Sequence, residues 1–268
     1  MSRGAVLAVH SYKGGTGKTL VSVNLASVLA KQGKNVCLVD LDLRAPSLNA
    51  TFPANGGRWV NDFLDDGCGP AELLHDFSKR NGTKGKLLVA MANPSMETIR
   101  EVVTKGRKWE MSSLRRLLSL KDFLLKDMGM DYVILDTGPG INYASINAVA
   151  VADLVLVVTT SDTSDASGTR GMVGELYDLL DKRTIVLMNK IPAQLVASAR
   201  LRKGMSDRFR GALKLPVINI LPCYCDVLRQ DRSVIMALEK PKHPFSRDMV
   251  EVARHVEKIR GSVRPRSP

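Results

Sequence analysis

The sequence has 268 residues, 44% hydrophobic and 25% charged, a balance that excludes a disordered chain and suits one large α/β domain. Its 39 Lys and Arg outnumber 27 Asp and Glu, and the net charge of +12 favours polyanionic partners or reflects a basic, heat-adapted proteome. No apolar run nears the roughly 18 residues of a membrane span, and the first one leads straight into a glycine-rich turn, as a strand and not a signal peptide does. Cysteines at 37, 68, 223 and 225, without a secretory signal, point to a reducing, cytoplasmic compartment with no disulfide framework.

Ala5 to His10 is apolar on both faces and reads as a central parallel strand. Lys13-Gly14-Gly15-Thr16-Gly17-Lys18-Thr19 follows, and helical spacing begins behind it, predicting a helix over 18–32 that Gly33 stops. Strand, glycine turn and helix N-terminus together describe a phosphate-binding loop. Three glycines in four positions let backbone N–H groups turn towards phosphate oxygens that a side chain would keep away. Lys18 offers a point charge to the β- and γ-phosphates, and the Thr19 hydroxyl is a ligand for Mg²⁺. One detail departs from GxxxxGK[ST]: Tyr12 stands where glycine is expected, with an extra lysine, Lys13, beside it.

Val36 to Val39 is the second strand, with Cys37 as a small core residue, and it ends in Asp40-Leu41-Asp42. Two carboxylates just beyond a buried strand are costly without a cation or hydrogen-bond partners. They also fall at the sheet edge where open α/β folds bind ligands. Residues 50–85 are poorly periodic, with short helical candidates at 59–64 and 71–77, and read as a surface excursion. A strand is expected at Leu87 to Met91, ended by Asn93-Pro94, and an amphipathic helix over 109–128.

Tyr132 to Leu135 leads into Asp136-Thr137-Gly138-Pro139-Gly140, an apolar strand that feeds a glycine-rich switch loop. Asp136 would hold Mg²⁺ through water while the turn senses the γ-phosphate. Further expected elements are a strand at 155–159, a helix at 166–180 and a strand at 184–188 ending in Asn189-Lys190. Residues 198–214 form a basic amphipathic helix with Arg200, Arg202, Lys203, Arg208, Arg210 and Lys214. It suits nonspecific DNA, an anionic membrane or a solvated face. The last strand, Val217 to Pro222, runs into Cys223-Tyr224-Cys225-Asp226. A final helix, 245–259, completes a domain over 1–262, and the basic tail 263–268 has a disordered composition.

From the first strand to about Pro222, these ordered motifs resemble the MinD/ParA family of deviant Walker A ATPases, whose loops read KGGxGK[ST]. The resemblance implies a P-loop NTPase fold: a three-layer α/β/α sandwich with a mostly parallel central sheet. It also implies ATP and Mg²⁺, bound by Gly14, Gly15, Thr16, Gly17, Lys18, Thr19 and Leu20. In the family the first lysine, here Lys13, crosses a dimer interface to the partner's nucleotide. The first Asp, here Asp40, lies near Mg²⁺ with Thr19 and Asp136, and the second, Asp42, orients the attacking water. Asn189 resembles the base-recognition residue, since a carboxamide offers the adenine edge a donor and an acceptor; a strand-end cap is the alternative. Pro222 and the turn after it take the place that packs on the adenine. Leu20 stands where the family has a second Thr, so backbone N–H groups must replace a hydroxyl at the α-phosphate. The closing Gly-Ser-Val-Arg-Pro-Arg-Ser-Pro cannot form the apolar helix by which MinD proteins reach membranes, which argues against membrane association.

The implied function is a Mg²⁺-dependent ATPase that forms a homodimer with ATP and is stimulated by an activating partner protein. It would position or partition DNA or cellular cargo, meeting nonspecific DNA through helix 198–214. Two alternatives rest on smaller signals. Cys223 and Cys225 suggest an Fe–S cluster carrier, although such relatives show Cys-x-x-Cys. Asp42 to Ser47 resembles bacterial tyrosine kinases, against which stand only five tyrosines, none in the tail.

Overall fold

The fold is built outward from β1, Ala5–His10, in which only the first residue is not fully buried. The computed structural model describes residues 4–53, 56–79 and 82–261, and the expected tail, 263–268, lies outside them. The other strands are β2 (Val36–Leu41), β3 (His75–Asp76), β4 (Leu87–Ala90), β5 (Tyr132–Thr137), β6 (Leu154–Thr159), β7 (Thr184–Ile191) and β8 (Val217–Pro222). They form one sheet in the order β3-β4-β2-β5-β1-β6-β7-β8, parallel throughout except for the antiparallel edge pair β3–β4.

Helices lie on both faces: α1 (Lys18–Lys31), α2 (Leu48–Thr51), α3 (Val60–Leu64), α4 (Met96–Thr104), α5 (Arg107–Asp122) and α6 (Tyr143–Val151). They continue with α7 (Thr163–Met172), α8 (Ala199–Leu213), α9 (Cys225–Leu228), α10 (Met236–Glu239) and α11 (Pro244–Gly261). Alternation along β1 divides the core. Leu7 and Val9 join Leu25, Leu29, Met249 and Val252, between α1 and α11. Val6 and Ala8 face the other way, onto Phe63, Leu117 and Ala148. A third cluster places Met172, Leu176 and Tyr177 against Phe209 and Leu213 of α8. Strands buried on both faces must be apolar at every position, which is why β1, β2, β5 and β6 read as unbroken runs. Among the described residues no helix is long and apolar enough to cross a membrane.

The expected elements need several corrections. Residues 71–77 hold no helix: His75 and Asp76 pair with Val89 and Leu88 of β4, so a tertiary partner supplies the backbone bonds that local propensity did not signal. The 50–85 excursion is also more than surface, because Phe52, Val60, Phe63, Leu64 and Leu73 are buried. Helices α4 and α6, and the short α2, α9 and α10, were not expected; Ser95 caps α4, its hydroxyl accepting the Thr98 N–H at 3.3 Å. The helices predicted over 109–128 and 166–180 begin a few residues early and end in single π turns, Phe123–Asp127 and Val173–Tyr177. The second matters below, since π turns gather at functional sites.

Register brings the motifs together. Val9 of β1 pairs with Asp136 of β5, and Asp136 pairs in turn with Asp40 of β2. The loop after β1 therefore opens beside both carboxylates, at the carboxyl edge of the sheet.

Candidate functional site

The loop turns on two glycines in the left-handed region, Gly15 (φ 77°) and Gly17 (φ 99°), where a side chain would be strained. A β-carbon on Gly17 would also strike the carboxamide of Asn189. Lys18 opens α1, is buried, and donates to the Ser11 hydroxyl at 3.0 Å. The Ser11 hydroxyl in turn donates to the Lys13 carbonyl at 2.6 Å. Thr16 is buried with its hydroxyl oxygen unpartnered.

Thr19 and Ser22, one helical turn apart, both reach Asp136. The Thr19 hydroxyl donates to Oδ2 at 2.7 Å and the Ser22 hydroxyl to Oδ1 at 2.8 Å. Asp40 is buried and accepts backbone N–H groups from Asp42 (3.0 Å), Ser47 (3.4 Å) and Leu48 (3.4 Å). Asp42 accepts the Ala45 N–H at 3.2 Å. Opposite it, the α-carbon of Gly138 comes so close that a β-carbon there would lie 3.0 Å from Oδ1 of Asp42. Asp40, Asp42 and Asp136 thus share one corner with the loop.

Their electrostatics show a shortage of positive charge. Burial pushes the Asp136 carboxyl up to about 6, against the pull of its two hydroxyl partners and Lys18. Burial raises Asp40 well above the usual carboxylate range, and repulsion from Asp136 adds to it. Asp42 is raised by burial too, with Lys18 pulling the other way. One ammonium, Lys18, itself lowered by burial, faces Asp136, Asp42 and Asp165. A divalent cation would relieve the imbalance. Among the described residues no three His, Cys, Asp or Glu side chains form a metal cage. Mg²⁺ needs none, since it binds through one or two carboxylates plus substrate phosphates. Thr19, Asp40 and Asp136 supply oxygen donors of that kind.

Lys13 reaches the start of α7. Its ammonium lies 3.0 Å from Asp162, the residue capping α7, and also bonds the Ser164 hydroxyl. Neighbouring Tyr12 lays its ring on the α-carbon of Gly168, where any side chain would collide with it. The residue that breaks the standard loop pattern is thus seated against α7.

Leu20, Asn189 and Pro222 line one shallow pocket beside the loop, together with Tyr224, Val227 and Phe245. The Asn189 carboxamide donates to the Thr16 carbonyl at 2.8 Å, and the Lys190 ammonium to the Gly15 carbonyl at 2.7 Å. The strand-end Asn is therefore a brace for the phosphate loop as well as a pocket wall. Cys223 and Cys225, both free, flank Tyr224 in the chain.

Sequence reasoning missed Ser11, Ser22, Lys190 and Asp165. Ser22 had a signal, because it lies three residues after Thr19 on the same helix face. Asp165, buried, accepts from the Thr159 hydroxyl and the Thr160 N–H and could not be found from spacing. The basic helix also needs amending. Arg202 turns inward and donates to the carbonyls of Val196 and Ile220, both at 3.1 Å, so it belongs to the fold. Arg200, Lys203, Arg208, Arg210 and Lys214 remain exposed.

Comparison with known proteins identifies the family and the fold. A family model described as an AAA domain matches residues 4–187. The septum site-determining protein MinD of Thermotoga maritima is 28% identical over 94% of this chain and 88% of its own length. The sporulation initiation inhibitor protein Soj of Bacillus subtilis is 30% identical over 58% of this chain and 57% of its own. The MinD of Pyrococcus horikoshii, solved with Mg-ADP, superposes with a TM-score of 0.76 at 18% identity, covering 97% of this chain and all (100%) of that one. The chain belongs to this AAA-domain family and, within it, to the MinD/ParA P-loop ATPases, which hydrolyse ATP with Mg²⁺.

Proposed function

We propose that hydrolysis drives a dimerisation switch: the chain pairs with a second copy when ATP is bound and parts from it afterwards. The convergence of Lys18, Thr19, Asp40, Asp42 and Asp136 around one glycine loop carries this reading. The loop N–H groups and Lys18 hold phosphate oxygens, and Asp42 orients the attacking water. Thr19 and Asp136, with Asp40 behind them, would hold Mg²⁺, which supplies charge neutralisation for phosphoryl transfer. Leu20, Asn189 and Pro222 border the adenine. Lys13, whose ammonium is exposed, serves the nucleotide of the second copy.

We assign the switch to the cytoplasmic positioning of DNA or other cargo, under the control of an activating partner protein. The relatives named for septum placement and sporulation control support this class of role. The exposed basic residues of α8 support nonspecific DNA as the surface. Sizing the protein by sedimentation with ADP and with ATP tests the switch, using Asp42→Ala to trap the ATP state and Lys13→Ala as control. A dimer with ATP alone, absent in Lys13→Ala, is expected. The same mass in both nucleotides, or dimers in Lys13→Ala, would overturn it.

A further inference from the structure

His10 ends β1 and is fully buried, four residues before the first loop glycine, Gly14. Its Nε2 lies 3.0 Å from the carbonyl oxygen of Gly140, the last residue of the switch turn. A carbonyl can only accept, so Nε2 carries the hydrogen. Burial and the nearby Lys18 ammonium hold the imidazole down at about 4, so the ring is neutral at physiological pH. Nδ1 is then a bare lone pair, and the Tyr177 hydroxyl, 2.6 Å away, donates to it. Tyr177 is itself buried, on the π turn that follows α7, in the cluster that includes Phe209 and Leu213 of α8.

The Gly140 peptide is held from other sides too. Its N–H donates to the Ser11 carbonyl at 2.8 Å, and its carbonyl also accepts the Ser145 hydroxyl at 2.8 Å. Gly140 adopts φ 72°, so the turn bends sharply there. Five residues span from Asp136 to Gly140, and Gly138 between them abuts Asp42. Any slip of the Gly140 carbonyl moves the segment that faces the water-orienting and metal-facing carboxylates. Displacement of about 1 Å at a reacting centre costs roughly 100-fold in rate.

We propose that His10 is a positioning residue for ATP hydrolysis: its Nε2–H holds the switch turn in register with the phosphate loop, and Tyr177 selects the tautomer that permits this. The assignment rests on the reading of Asp136–Gly140 as a switch turn. Tyr177 also makes the contact a link, because the same hydroxyl that fixes the imidazole belongs to the segment packed under the basic helix.

The test compares kcat and KM for ATP in His10→Ala, His10→Gln and Tyr177→Phe, with thermal midpoints to confirm folding. His10→Ala should lower kcat by about 10- to 100-fold with little change in KM, as loss of positioning does. His10→Gln places a carboxamide N–H near the same carbonyl and should recover most of that loss. Tyr177→Phe, which deletes one oxygen, should lower kcat by about fivefold. In protein labelled with ¹⁵N-histidine and free of nucleotide, the His10 signal, identified by its absence in His10→Gln, should show a neutral ring protonated at Nε2. Tyr177→Phe should convert it to a tautomer mixture.

Wild-type kcat in folded His10→Ala, a Gln variant no better than the Ala variant, or an Nδ1–H ring in the wild type would overturn the proposal. Should His10→Ala not fold, Tyr177→Phe and the spectra decide it alone. A wild-type chain without hydrolysis would sink the ATPase reading and this one together, whereas active wild type with indifferent variants sinks only this one.

Discussion

The Lys13 ammonium is held by its own chain, 3.0 Å from the Asp162 carboxylate at the start of α7. The Asp162 carboxyl is held down at about 2 by the Lys13 bond first, and then by the Asp165 N–H and the Ser164 hydroxyl. Both side chains are nonetheless exposed, so solvent and salt screen the pair. A lysine that must serve a second copy has to leave this partner. Asp162→Asn keeps the helix cap and removes the charge. It should lower the protein concentration needed for the ATP-dependent dimer by a few-fold, read by sedimentation. A weaker dimer in that variant would show that Asp162 contributes to the paired state instead.

Ser22 touches Asp136 but no expected ligand role falls to it. Removing its hydroxyl leaves Asp136 Oδ1 buried without that donor. Outer hydrogen bonds of this kind tune metal affinity by about 10- to 100-fold. Ser22→Ala should therefore raise the Mg²⁺ concentration for half-maximal hydrolysis by roughly tenfold while leaving nucleotide binding without metal unchanged. An unaltered Mg²⁺ titration would place Ser22 in the fold alone.

His10 gives the stability a pH dependence with a definite sign. Its folded value, about 4, lies below the ordinary 6.5, so the unfolded chain binds the proton more readily between those limits. The contribution is complete above pH 6.5 and drains away as pH falls through 4. The groups facing the ring are the Tyr177 hydroxyl, which does not charge here, and the Lys18 ammonium, which opposes protonation. Urea midpoints at pH 7 and at about pH 4.5 should show the wild type losing on the order of 2–3 kcal/mol more than His10→Gln over that interval. Equal losses would mean that the imidazole is not neutral in the folded chain.

The basic residues of α8 divide into two kinds with different expected phenotypes. Lys203 and Arg208 are exposed, and reversing both to Glu should weaken ATP-dependent DNA binding and flatten its salt slope without altering basal hydrolysis. Arg202 bonds two carbonyls, so Arg202→Ala should lower the thermal midpoint and leave the salt slope alone. Filter binding across a salt series, beside calorimetric melts, separates the two. Wild-type DNA binding that ignores salt would remove α8 as the surface.

How much of this was legible in the sequence follows from how local each cause is. The loop at 13–19 could be read because its glycines are demanded by backbone geometry within seven residues. Asp40 and Asp136 could be read because a fully buried strand shows as an apolar run with a carboxylate at its end. β3 could not, since two residues pair only because β4 is already in place. Nor could the Lys13–Asp162 pair, separated by 149 residues, or the brace from Asn189 to Thr16, which depends on β7 lying two strands from β1. His10 was legible as a strand residue, but its donor and acceptor roles needed Tyr177 and Gly140 in view.

The seat of Tyr12 on Gly168 ties two distant positions into one inherited unit. In this rotamer the ring fits only over a bare α-carbon, so a side chain at 168 requires the exposed aromatic at 12 to turn away or be replaced. Homologues should therefore show Gly168 wherever an aromatic precedes the loop lysine, and variety there wherever a small residue does.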